Sequence, residues 1–322
     1  MRAPTREGVL QAAAKIAAIL PPTPLLPIDL GGVIAWGKAE SLQPIGAFKI
    51  RGAWHRLSEL TAEERSRGVV GVSSGNHAQG VAWAARRLGI AATIVMPADA
   101  PTVKLARTRE LGATVVLYDR ASEDRDMVAA TLVERSGATL VHAFADPWVI
   151  EGQGSSGIEI AAQMAQQGSG GPTRIVACCG GGGLAAGLAL ACPEAEIIPV
   201  EPEGWDDVCR SLEAGSIQSV VPNPPSTACD ALQTLATRPI NFSVLQARCQ
   251  QWARVSEAEV AHAQRFAFSH LRLVLEPSGA AALAAVLAGK VPANGSTAIM
   301  LTGGNVDPER YAHVLHTATA PV

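Results

Sequence analysis

Val69-Val70-Gly71-Val72-Ser73-Ser74-Gly75-Asn76-His77-Ala78-Gln79-Gly80 passes from a short apolar strand, through a polar turn, into a helix. In open α/β sheets ligands collect at the carboxyl ends of strands. The helix start there offers unpaired N–H groups and the positive end of its dipole, which suits a carboxylate. A plain helix cap needs one Ser or Asn. Here Ser73, Ser74, Asn76 and His77 surround Gly75, which favours a binding site over a simple cap.

The same rhythm continues on both sides of this stretch. Short apolar runs at 69–73, 92–96, 113–118, 139–142, 173–178 and 196–201 read as strands. Segments 77–88, 102–111, 122–135, 150–166 and 184–191 carry the longer helical period. Upstream lie a strand at 33–39 and a helix at 48–60. After residue 202 the order loosens, then resumes with helices at 256–269, 278–287 and 308–316 and a strand at 297–301. Such alternation predicts an α/β protein of two doubly wound domains with parallel sheets. The smaller domain, 68–145, is expected as an insertion in a larger one made of 1–67 and 146–322.

Two further strand ends carry glycines. Gly180-Gly181-Gly182-Gly183-Leu184 follows the strand at 173–178 and lets the backbone approach a phosphate at a helix N-terminus. Taken alone this segment also suits a dinucleotide, because Gly181, Gly183 and Gly187 precede Glu201 at the end of the next strand. That leaves an NAD(P)-dependent oxidoreductase open. Leu301-Thr302-Gly303-Gly304-Asn305 is the other, with a hydroxyl placed to bond one ligand heteroatom. Upstream, Gly46-Ala47-Phe48-Lys49-Ile50-Arg51-Gly52 holds one of only five lysines in the chain. A lysine among apolar groups loses hydration of its charged form and becomes a usable nucleophile, although a solvated helix lysine would read the same way. Together the glycine-bearing strand ends and the lysine point to a phosphate-bearing cofactor held covalently.

Composition narrows the class. The 322 residues are 48% hydrophobic and 17% charged, as in a globular enzyme. A net charge of −3 without long basic runs argues against nucleic acid. Six cysteines show no CxxC spacing and read as buried thiols of a reducing compartment. No apolar run is long enough to span a membrane, and the Ala-rich start at 9–20 reads as a first helix of a cytoplasmic protein rather than a targeting peptide.

The chain resembles the fold type II pyridoxal-phosphate enzymes, specifically the serine/threonine dehydratase and serine racemase family. Residues 24–25, 46–52, 73–80, 151–154, 180–184, 201–207, 276–279 and 301–307 carry the likeness in the family's order, and the likeness overrides the dinucleotide reading. It implies that Lys49 forms the Schiff base and removes the Cα proton, with Phe48 beside the cofactor. Asn76 would bond the pyridoxal 3′-hydroxyl, the backbone from Gly180 to Leu184 the phosphate, and Thr302 the pyridine nitrogen. Ser74, Asn76 and His77 would surround the substrate carboxylate. The implied reaction is dehydration of L-threonine or L-serine to 2-oxobutanoate or pyruvate and ammonia. Ser74, on the face opposite Lys49, leaves serine racemisation or 3-hydroxyaspartate dehydration open.

Glu201, Asp207 and the Trp205 carbonyl match a structural Mg²⁺ or Ca²⁺ site of the racemase-like branch. Arg125 corresponds, across a gap, to an arginine that reaches the substrate there. The family's Ala-Asp-Gly reads Cys229-Asp230-Ala231 here, which questions close backbone contact at that point. Glu276 is expected near the ring without an assigned role. The resemblance further implies a homodimer acting on a small amino acid, and from the length no C-terminal regulatory domain is expected.

Overall fold

A computed structural model describes residues 2–73, 75–100, 102–119 and 121–317. The chain opens with α1 (Arg6–Ala17), β1 (Leu25–Asp29), β2 (Ile34–Ala39), α2 (Lys49–Ser58) and α3 (Ala62–Arg67). Next come β3 (Val69–Val72), α4 (Asn76–Leu88), β4 (Ala92–Pro97), α5 (Thr102–Glu110), β5 (Thr114–Tyr118), α6 (Arg125–Ser136) and β6 (Thr139–Val141). The chain returns through α7 (Pro147–Gln166), β7 (Arg174–Cys178), α8 (Gly183–Ala191), β8 (Glu196–Pro202), α9 (Asp207–Ala214) and α10 (Pro239–Arg248). It finishes with β9 (Ala253–Val255), α11 (Glu257–Phe266), α12 (Pro277–Leu287), β10 (Thr297–Leu301) and α13 (Pro308–His316).

Two sheets form. One has the order β1-β2-β10-β7-β8-β9 and the other β5-β4-β3-β6. All pairings are parallel except β1 with β2, which is antiparallel. β1 and the three-residue β9 are strands that periodicity does not reveal. Pro27 interrupts the apolar run of β1 and is tolerated because an edge strand leaves one side without ladder bonds.

The central strands are apolar on both faces, as a sheet covered on both sides requires. Along β7, Ile175 and Ala177 pack with α7 and α8, whereas Val176 and Cys178 pack with α12. Helices cross closely because glycines meet. A Cβ on Gly152 would lie 2.6 Å from the Gly52 Cα, and one on Gly187 would lie 2.3 Å from the Ile150 carbonyl oxygen. Hence α7 seats against α2 on one side and α8 on the other. Residues ahead of β3 also serve the smaller sheet: Ile50, Trp54 and Leu57 of α2 share a core with Val69, Val81 and Ile94. No helix among the described residues is long and apolar enough to cross a membrane.

Candidate active site

The carboxyl ends of both sheets face one cavity of about 620 Å³, lined by Lys49, Asn76, the Gly180–Gly183 loop and Thr302 among others. The stretches that carry these residues are stitched together by backbone. Phe48 N–H donates to the Thr302 carbonyl (3.0 Å) and Gly304 N–H to the Gly46 carbonyl (2.9 Å). Lys49 opens α2, and Arg51 two residues on is fully buried between Glu40 (2.7 Å) and Glu159 (2.7 Å). That ion cluster fixes the helix that carries the lysine.

Lys49 Nζ donates to the Ala143 carbonyl at 2.8 Å. Burial pulls its amine down to about 8. Asn76 begins α4 and is held at both ends of its amide. Its Nδ2 donates to Glu276 Oε1 (2.6 Å) and its Oδ1 accepts from Asn305 Nδ2 (2.8 Å), which leaves one hydrogen and one lone pair for a ligand. Burial lifts the Glu276 carboxyl to about 7.

His77 lines the cavity, but its Nε2 bonds the Val141 carbonyl (2.9 Å) and its buried Nδ1 has no partner. Burial and the nearby Lys49 push the imidazole down to about 3, so it is neutral. Any carboxylate contact with positive character at this turn therefore comes from the start of α4, not from the His77 ring. Ser74 lies outside the described residues.

The glycine loop is a cradle. Gly182 sits at φ +88°, a region that favours glycine, and caps α8. A Cβ on Gly181 would strike the Phe144 ring at 2.3 Å, and one on Gly183 would meet Phe144 at 3.0 Å. Leu184 follows in the first turn of α8 and also lines the cavity. Thr302 Oγ1 lies 3.1 Å from Cys178 Sγ, and both side chains are buried.

Arg125 and Arg238 also line the cavity. The carboxylate nearest Arg125 is exposed Asp126 at 3.7 Å, and the Arg238 guanidinium has no hydrogen-bond or ion-pair partner among the described residues. Ala231 lines the cavity without a positive φ, so the alanine in place of the family's glycine carries no strain. Sequence reasoning missed Ala143, Phe144, Cys178 and Arg238. Asn305 was visible only as part of a glycine-bearing strand end.

The chain matches the model of the family described as pyridoxal-phosphate dependent enzyme over residues 16–303. It belongs to that family. It is 39% identical to an L-threo-3-hydroxyaspartate ammonia-lyase of a Pseudomonas species, covering 98% of this chain and 99% of that protein. It is 37% identical to a serine racemase of Schizosaccharomyces pombe, over 97% of each. Among solved structures, the T.th. threonine deaminase is 41% identical with a TM-score of 0.86, covering 94% of this chain and 99% of that one. This pyridoxal-phosphate enzyme is thus of the ammonia-lyase and racemase group. Its site fits the cofactor: a half-buried lysine with a depressed pKa, a side-chain-free cradle at the start of α8, and an amide and a hydroxyl with bonding capacity to spare.

The acidic residues singled out from the sequence lie apart from this cavity. Glu201 ends β8, Asp207 begins α9 and Trp205 is in the turn between. Glu201 accepts the Val208 and Cys209 amides (3.2 and 2.7 Å). Neither buried Asp207 oxygen makes a hydrogen bond of normal geometry, although the Thr237 amide is close enough to lower its proton affinity somewhat. Burial lifts Asp207 to about 7, and burial together with Asp207 raises Glu201 well above the carboxylate range. Among the described residues no group of three or more His, Cys, Asp or Glu converges as a metal site. The orphaned Asp207 carboxylate nevertheless fits a small hard cation.

Proposed function

We propose that the protein eliminates water from a β-hydroxy-α-amino acid, and that its preferred substrate is L-threo-3-hydroxyaspartate, giving oxaloacetate and ammonia. The observation that carries the choice is the pair of guanidiniums on the cavity wall, Arg125 and Arg238, neither of which faces a buried carboxylate. A substrate with a second carboxylate supplies the missing anion, and arginine reads a carboxylate through two parallel hydrogen bonds. L-threonine and L-serine, first in the sequence reading, offer those groups nothing and become slower substrates. Racemisation is supported by the Ser74 hydroxyl and by the likeness to a serine racemase, and is the second reading.

Bound pyridoxal phosphate supplies an electron sink that acidifies the substrate Cα–H. Lys49 Nζ would hold the cofactor, and its depressed amine pKa suits it to take the Cα proton. The Gly180–Gly183 amides and the start of α8 would hold the phosphate, Asn76 the 3′-hydroxyl and Thr302 the ring nitrogen. The turn before α4 receives the α-carboxylate. Glu201, Asp207 and the Trp205 carbonyl would bind Mg²⁺ or Ca²⁺ as a structural ion.

The test is a keto-acid assay over both 3-hydroxyaspartate diastereomers, L-serine, L-threonine and D-serine, with chiral analysis of the amino acids. Expected is the highest kcat/KM for L-threo-3-hydroxyaspartate. Arg238→Met should lower that value ~10- to 100-fold, the scale of a lost charged hydrogen bond, and leave L-serine within about twofold. A higher kcat/KM for L-threonine or L-serine, or net D-serine formation as the main reaction, would overturn the proposal.

A further inference from the structure

We infer that Cys178 is a positioning residue that sets the direction of the Thr302 hydroxyl toward the cofactor ring. β7 ends at Cys178, and Thr302 follows β10, its neighbour in the sheet. Two adjacent strand ends therefore carry the thiol and the hydroxyl side by side, Sγ to Oγ1 at 3.1 Å, both buried and both on the cavity wall.

A count of hydrogens decides the direction. The thiol has one hydrogen and the hydroxyl has one. An unprotonated pyridine nitrogen accepts one and gives none. Only one arrangement serves all three atoms: S–H into Oγ1, and O–H into the ring nitrogen. The reverse, with Thr302 donating to sulfur, leaves the ring nitrogen facing an oxygen lone pair with neither satisfied. Burial keeps the proton on sulfur by pushing the thiol up to about 11, although Lys49 is close enough to favour a thiolate slightly. Neither the thiol nor the hydroxyl then has a proton to give up, and the ring nitrogen stays neutral. This inference rests on pyridoxal phosphate binding at the site and goes beyond it by assigning the group that orients Thr302.

The test uses holoenzyme of the parent protein, Cys178→Ala, Cys178→Ser, Thr302→Ala and the Cys178→Ala/Thr302→Ala double variant. Cofactor affinity comes from dialysis against graded pyridoxal phosphate, and the pH midpoint of the bound-cofactor absorbance is recorded for each. Cys178→Ala should weaken affinity about fivefold, the scale of one neutral hydrogen bond, and shift the midpoint. Cys178→Ser, whose O–H also donates, should restore both within about twofold. In the Thr302→Ala background the cysteine change should add nothing.

An unchanged affinity and midpoint in Cys178→Ala would overturn the inference. So would the same fivefold loss with Thr302 already absent, since that marks a packing role. Cys178→Val, which keeps the volume and lacks a donor, replaces alanine if that variant is insoluble. Failure of the parent protein to bind pyridoxal phosphate would sink the cofactor reading as well. Binding with additive variants would sink this inference alone.

Discussion

An amine that is to accept a proton near neutral pH must first have lost its own. Two lysines of this chain, buried Lys38 and half-buried Lys49, differ in what offsets the loss of water. Burial pushes the Lys38 amine down too, but Glu159 (2.6 Å), together with bonds to Gln163 and the Thr23 carbonyl, offsets part of that. Lys49 has a neutral carbonyl, a phenyl ring and burial instead, and falls to about 8. With the Lys49 amine as Cα base, log kcat should climb with a slope near one below that value and level off above it. Lys49→Arg should lose at least ~100-fold, because a guanidinium keeps its proton. A flat profile from pH 6 to 9 would remove Lys49 from that role. Folding of the cofactor-free protein follows the same group: the unfolded chain binds the extra proton between about 8 and the ordinary 10.5, so stability rises with pH across that window. The place of Lys49, Asn76 and the glycines on the cavity wall was legible in the sequence, because each lies near a glycine at a strand end or helix start. Cys178 was not, since its partner Thr302 is brought to it only by strand order. The tie of the His77 ring to Val141 was not legible either, because it depends on β6 lying beside β3.

Among the elements, the β8–α9 turn concentrates charge that the fold does not neutralise. Asp206, one residue before the helix, is paired with Arg254 (2.5 Å), whereas Asp207 and Glu201 have no cation side chain. An acid whose folded pKa is raised favours the folded state while protonated. Its contribution is full below the ordinary carboxylate range near 3.8 and is lost as pH rises through about 7. A divalent ion at the turn relieves that loss, so its effect should grow with pH. Adding millimolar Mg²⁺ or Ca²⁺ should raise Tm by ~3 °C at pH 8 and by much less at pH 5. Glu201→Gln and Asp207→Asn should each abolish the difference. Equal shifts at both pH values, or none, would show that the turn holds no ion. The strands and helices from β3 to β8 were readable because parallel strands buried on both faces are apolar throughout. β1, β9 and α10 escaped notice for physical reasons: an edge strand broken by Pro27, a three-residue strand, and a helix that begins at Pro239 straight out of a long turn region.

At the scale of the whole molecule, the cavity lies where the two sheets meet, and few polar contacts cross its rim. Lys104 of α5 reaches Asp230 (2.5 Å), and Arg107 reaches Asn305 (2.9 Å), which in turn bonds Asn76. Below the rim, α2 and α4 share a continuous apolar core. Motion of the smaller sheet relative to the larger would therefore pivot about that core and open at α5. The Lys104–Asp230 pair is partly exposed, and such pairs contribute ~0.5 kcal/mol, enough to move an open–closed equilibrium about twofold and too little to alter folding. Lys104→Ala should accordingly double the rate at which borohydride reduces the bound cofactor while leaving Tm within about 1 °C. Adding Arg107→Ala should increase the rate further, and a non-reacting dicarboxylate such as malonate should slow it in the parent protein. If neither substitution changes the borohydride rate and malonate gives no protection, the rim does not move and the site is permanently formed. In that case α5 serves only to shape the cavity mouth, and small-angle scattering with and without malonate should give identical profiles.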